Sequence, residues 1–292
     1  MKAFAILFLA ALATAEIDWS KVKNVEDMDG FWEGRDTKLF RSYGSNPRNG
    51  RIVNGEIAAD HQFPYQAALL TTFGTGGQGL CGASAISTTA ALTAAHCSDS
   101  SATSFLLIFG AVNRRNDEPT QQRRTVPASG WIQHPNYNQL NLANDVAVIR
   151  FVNQPLEISE FVRPIALASD DLELFVGEEV HVSGFGRISD STNEVSDVVR
   201  FTIKNVVTNL SCRIRFPTLV QPSTICAIGD EAINNAVCNG DSGGPLAARR
   251  NGQSLQVGVV SFGSPFGCER GVPDGYARVS SFYSWISSVA QL

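Results

Sequence analysis

Cys238-Asn239-Gly240-Asp241-Ser242-Gly243-Gly244-Pro245 is the stretch on which the reading of this chain turns. Its glycines let the backbone bend sharply and come close to other groups, and at its centre sits a serine behind an aspartate. A serine hydroxyl is a weak nucleophile at neutral pH and needs a base within hydrogen-bond reach. Upstream, Thr93-Ala94-Ala95-His96-Cys97 offers an imidazole, and Asn144-Asp145-Val146-Ala147-Val148-Ile149 a carboxylate to orient it. Singly, each has a plainer explanation: a tight loop, a core histidine beside a cysteine, a turn before a strand.

Around these segments the pattern is β. Short apolar runs alternate with turn-rich clusters, as at Phe105 to Phe109, Val146 to Phe151, Val180 to Val182, Val198 to Ile203 and Leu255 to Phe262. Such spacing predicts an all-β barrel or sandwich. The end differs: Phe282, Trp285, Ile286 and Val289 recur at helical spacing and predict a C-terminal amphipathic helix.

The N-terminus reads as a targeting signal. Met1-Lys2 gives a positive start, an apolar run follows to about Ala13, and Ala13-Thr14-Ala15 has the small-x-small form of a cleavage site. The run is too short to cross a bilayer, so residues 1–15 are expected to be a signal peptide and the product secreted. Residues 16–51 carry seven acidic and seven basic residues and no cysteine, and Ser42 to Gly50 has linker composition. The net charge of −5 gives no electrostatic footprint for nucleic acid. Six cysteines in a secreted chain point to disulfides, with fifteen pairings open. No Cys-x-x-Cys pair occurs and the four histidines are scattered, so neither metal nor cofactor is expected.

Taken together, in the order His96, Asp145, Ser242, the three segments resemble the chymotrypsin family of serine proteases, and the resemblance runs from Ile52 to Leu292. It implies two packed antiparallel β-barrels, about 52–163 and about 164–292, closed by the C-terminal helix, with the active site in the cleft between them. It implies a triad in which His96 takes the proton of Ser242 and Asp145 holds the imidazole, and an oxyanion hole from the amides of Gly240 and Ser242. The disulfides it implies are Cys81–Cys97, Cys212–Cys226 and Cys238–Cys268. It makes 16–51 an activation prosegment: a trypsin-like activating protease cuts at Arg51-Ile52, and the new amine of Ile52 pairs with Asp241.

The pocket maps by the same resemblance to Ala236 and Val237 at the base and to Ser261, Phe262, Gly263 and Asp274 on the walls. Phe185 and Phe262 stand where tryptophan is commoner. A neutral base argues against simple Arg/Lys specificity, and Asp274 on the wall resembles the brachyurin group of invertebrate collagenases and broad chymotrypsin-like enzymes. Two roles are open for Asp274: accepting a basic side chain beside apolar ones, or being solvated or bonded to backbone and only narrowing the pocket. Apolar or aromatic P1 residues are expected, collagen cleavage being compatible. Gly-rich Thr72 to Gly79 is expected to be a flexible loop near the leaving-group side. Ala111 replaces the Glu of calcium-binding relatives, and Asn209-Leu210-Ser211 is a glycosylation sequon. His134 is expected to be structural.

The expected product is a monomeric, secreted serine endopeptidase made as a zymogen, acting on polypeptides and meeting protein protease inhibitors, with no membrane partner. A narrow-specificity cascade protease and an inactive homologue that binds partners are the alternatives.

Overall fold

The computed structural model of the chain describes residues 17–29, 31, 55–230 and 235–292. Residues 1–15, Arg51 and Ile52 lie outside them. In chain order the strands are β1 (Val22–Asn24), β2 (Glu56–Ile57), β3 (Gln66–Phe73), β4 (Gln78–Ala85), β5 (Ala90–Thr93), β6 (Ala102–Phe109), β7 (Gln122–Pro127), β8 (Trp131–Gln133) and β9 (Ala147–Arg150). They continue with β10 (Ala166–Leu167), β11 (Glu179–Gly184), β12 (Arg200–Val207), β13 (Thr224–Ile228), β14 (Pro245–Arg250), β15 (Gln253–Phe262) and β16 (Asp274–Arg278). Among the described residues two α-helices, α1 (Asn209–Arg213) and α2 (Val279–Ala290), accompany them.

The strands form two barrel-like sheets. The first runs β7-β6-β3-β4-β5-β9-β8; the second runs β10-β15-β14-β11-β12-β13-β16, and pairing of β15 with β16 closes it into a ring. Alternation sets the inward faces. On β6, Phe105, Leu107 and Phe109 are buried and join the first core with Leu69, Leu92 and Val148. The second core gathers Val180, Val182, Ile225, Leu246, Val257 and Tyr276. On β12 the inward positions are Thr202, Lys204 and Val206, while Ile203 faces outward.

Two elements cross the halves drawn from sequence. β2 pairs with β12 of the second sheet. The C-terminal helix α2 forms where expected and packs Phe282, Ile286 and Ala290 into the first core. The Gly-rich stretch 72–79 is a hairpin rather than a loop: Thr72 pairs directly with Gln78, leaving only the turn between β3 and β4 unpaired. Pairing with β5 uses only Ser84 and Ala85 of β4, and on Gln78–Leu80 β1 docks in parallel. The three disulfides are Cys81–Cys97, Cys212–Cys226 and Cys238–Cys268, as the resemblance implied.

Candidate active site

His96 sits on a 3-10 turn, Ala95–Cys97, that follows β5 directly. Cys81–Cys97 ties that turn to β4. Asp145 immediately precedes β9, the neighbour of β5, so the sheet brings the two side chains together. Asn144 before it is left-handed (φ 57°), a conformation that asparagine tolerates better than most residues; its side chain donates to the carbonyl of Asn136 (2.8 Å). The buried Asp145 carboxylate accepts from the His96 backbone N–H (2.9 Å) and from the Ser261 hydroxyl (2.5 Å), and bonds His96 Nδ1 (2.7 Å). These contacts fix the imidazole's orientation. His96 Nε2 is buried and makes no hydrogen bond among the described residues.

Ser242 comes from the loop between β13 and β14. This loop is anchored at Cys238–Cys268 and docked on the first sheet, where the Ser242 carbonyl accepts from Gly82 N–H (2.7 Å). Gly240 has φ 94°, a conformation that side-chain-bearing residues rarely adopt. Behind the loop Asp241 is fully buried and accepts from the N–H groups of Gly186 (2.8 Å) and Cys238 (3.0 Å). Gly186 has to be glycine: a Cβ there would lie 2.5 Å from the Asp241 carboxylate. Burial pushes the Asp241 carboxyl up to about 7 against the pull of those two N–H groups, and nearby Glu26 and Asp274 add to the rise.

Val237, Ser261, Phe262 and Gly263 line a pocket beside Ser242, together with Cys238 and Cys268. Phe262 lies over Gly275 and meets Phe216 edge-on (5.2 Å). Ala236 and Asp274 are buried outside that lining. Asp274 is ion-paired to Lys204, which is also buried, and accepts from Val237 N–H (3.3 Å). The Val237 contact is the backbone bond of the second reading, but the main partner is one that neither reading included: a buried lysine of the chain occupies the carboxylate. Burial still pushes this carboxyl up, with Lys204 opposing. Ser261, read as a pocket wall, also supports Asp145.

No motif pointed to an N-terminal segment lying in the cleft. Gly240 N–H donates to Glu26 Oε2 (3.2 Å), and His96 and Ser242 are the neighbours that favour the charged form of this carboxyl. Burial raises the Glu26 carboxyl above its usual range; His96 and then Ser242 oppose the rise. Asp27 bonds Asn239 Nδ2 (2.9 Å) and pairs with Arg187 (2.7 Å). Phe31 sets its ring edge-on to His96, with centroids 5.6 Å apart. Neither Lys204 nor Glu26 figured among the candidates. For Lys204 the signal pointed the wrong way, because Phe201 and Ile203 are the apolar positions beside it and alternation would turn the lysine outward. Glu26 had none.

Of the minor candidates, the His134 ring packs against Phe282 and Trp285, a structural contact. Phe185 is buried in a cluster with Leu70 and Ile108. Asn209 Nδ2 is spent on the carbonyls of Gln221 and Thr224.

Comparison with known proteins agrees with this geometry. The trypsin family profile matches residues 52–286. Brachyurin of Leptuca pugilator is 37% identical over 238 residues, covering 81% of this chain and 97% of that protein. A collagenase of Hypoderma lineatum is 34% identical, covering 82% and 87% respectively. A solved structure titled HL collagenase superposes with a TM-score of 0.70 at 33% identity, covering 80% of this chain and 96% of that one.

Proposed function

Because the chain belongs to the trypsin family and is a serine endopeptidase, we propose that His96, Asp145 and Ser242 are its triad and that residues 16–51 keep it a zymogen until Arg51-Ile52 is cut. The grip of Asp145 on both the ring and the backbone of His96, facing the Ser242 loop across the cleft, is the observation that carries this reading.

His96 takes the Ser242 proton as the hydroxyl attacks the scissile carbonyl, then hands it to the leaving amine. Asp145 keeps Nδ1 protonated and stabilises the imidazolium. The amides of Gly240 and Ser242 receive the oxyanion; losing one such donor typically costs about 2.7–4 kcal/mol in kcat. Water then releases the acyl group by the same steps in reverse.

The new Ile52 ammonium pairs with Asp241, a buried acid that accepts from two backbone N–H groups. The pair raises the folded-state pKa of the amine, so its stabilisation is present at neutral pH and fades as pH rises through that value. Activity of the cut enzyme therefore falls at alkaline pH.

Three disulfides and a signal-like N-terminus support secretion. With Asp274 neutralised by Lys204, the pocket favours apolar and aromatic P1 residues. The likeness to a brachyurin and to a collagenase makes collagen a substrate to test.

A P1 profile on a peptide library, using protein cut at Arg51-Ile52, tests the reading. Cleavage after Phe, Tyr and Leu that Ser242→Ala abolishes is expected. An Ser242→Ala protein with undiminished activity overturns the triad.

A further inference from the structure

We propose that the cleft is also a peptide-binding site for the chain's own N-terminal segment, which lies across it as a non-cleavable inhibitor with the Glu26 side chain in the oxyanion site. The inference rests on the reading of the cleft as an active site and adds how that site is held closed.

Three contacts disable the chemistry at once. Glu26 Oε2 takes the Gly240 N–H that a scissile carbonyl oxygen needs. The same carboxyl lies where His96 and Ser242 act on its charge, and His96 Nε2 is left without a hydrogen bond among the described residues. Phe31 lies against the imidazole and also reaches the pocket beside Ser242. The group facing Gly240 is a side-chain carboxylate rather than a peptide carbonyl. It offers no amide bond to break, so the segment occupies the site without being consumed there.

The rest of the segment is fitted to this position. Val22, Lys23 and Asn24 pair in register with Gln78, Gly79 and Leu80 of β4. Val25 is buried against Gly79, where a Cβ would approach Val25 Cγ2 to 2.6 Å. Asn24 packs over Gly240 and donates to Asp27 (2.7 Å), and Asp27 is clamped by Asn239 and Arg187. Further back, Trp19 receives the Arg114 guanidinium over its ring at 4.6 Å, while Ile17 and Val22 pack on the cluster of Ala68, Leu70 and Leu80. A strand pairing, a buried valine, an ion pair and a stacked tryptophan set Glu26 in place.

Cutting Arg51-Ile52 leaves the segment in place until it dissociates. All six cysteines are paired with one another in the later part of the chain, so no disulfide retains it. The cut is therefore necessary but not sufficient for full activity, and the freed segment inhibits in trans.

The test adds a synthetic peptide of residues 17–31 to cut enzyme freed of its own segment by chromatography. Inhibition is read with a chromogenic peptide and binding by calorimetry. Competitive inhibition is expected, with a Glu26→Ala peptide about tenfold or more weaker, because hydrogen bonds to a charged group are lost, and with the peptide intact by mass spectrometry afterwards. Equal inhibition by both peptides, no binding of either, or cleavage between residues 24 and 31 overturns the proposal. If the cut enzyme lacks Ser242-dependent activity yet calorimetry shows Glu26-dependent binding, the protease reading falls and the peptide site stands.

Discussion

The two banks of the cleft are completed to different degrees. On the histidine bank the chain supplies everything: Asp145 takes its contacts from His96 N–H, His96 Nδ1 and Ser261, and the disulfide Cys81–Cys97 holds the turn. The serine bank is built on buried acids. Asp241 has two backbone N–H donors and, among the described residues, no ion pair. Asp274 has Lys204, and Glu26 accepts from Gly240 N–H beside Ser242. Buried charge is costly unless paired, so the serine bank is where a charge arriving or leaving changes the state of the enzyme. The histidine bank can be rigid because it has no regulatory step to perform.

The largest test of this contrast is Asp145→Asn. In the family's triad template the corresponding change leaves geometry intact and lowers kcat by about 10⁴ through the wrong histidine tautomer. The same loss is expected here in the cut enzyme, with unchanged thermal stability. A loss of only a few-fold means that the histidine bank does not work as assembled.

Lys204→Met probes the other bank. It leaves a buried carboxylate without its cation, and breaking such a pair typically costs about 3–5 kcal/mol. Denaturant unfolding of the cut enzyme should show that loss, and adding Asp274→Asn should restore most of it. Asp274 Oδ1 lies 3.4 Å from where a Cβ on Gly263 would stand, just behind the pocket wall. The single variant should therefore gain cleavage after Arg and Lys. No gain means that Asp274 cannot be reached from the pocket.

Asp241 gives a pH signature confined to the uncut chain. Its carboxyl is raised in the fold to about 7, from about 3.8 in a free side chain. The folded state thus holds a proton that the unfolded chain has already lost, and stability falls as pH rises from about 4 to 7. Asp241→Asn should flatten that fall in urea midpoints of the uncut protein. After cleavage the Ile52 ammonium should abolish it in the parent protein. A parent with no such slope before the cut shows that Asp241 is already compensated.

How much of this was legible follows from where the information sits. Ser242, His96 and Asp145 lie in short motifs whose chemistry demands those residue types, and β6 is legible as a strand from its short apolar run, Phe105 to Phe109. The cysteine pairs came through resemblance and not through spacing, which left fifteen choices. Thr72 to Gly79 misled because glycine was read as flexibility. In the fold Gly79 is a strand residue kept small for Val25. Lys204 was hidden, since Phe201 and Ile203 suggest the opposite inward face from the Thr202, Lys204 and Val206 that the fold buries, and the partner that makes a lysine tolerable there is seventy residues away. Glu26 was not readable at all. It is one acid in a mixed-charge segment, and its meaning is set by Gly240 and Ser242, more than two hundred residues later.

Ser261→Ala is the smallest of these changes and the sharpest on the contrast itself. Ser261 is on β15 of the second sheet, yet its hydroxyl bonds Asp145 of the first. It is the one donor to that carboxylate that the histidine bank does not own. If the bank is self-sufficient, the His96 contacts hold Asp145 in place and kcat falls about tenfold, the cost of one hydrogen bond to a charged group, with KM unchanged. A loss approaching that of Asp145→Asn would mean that the second sheet holds the triad together, and the two banks would then be a single unit.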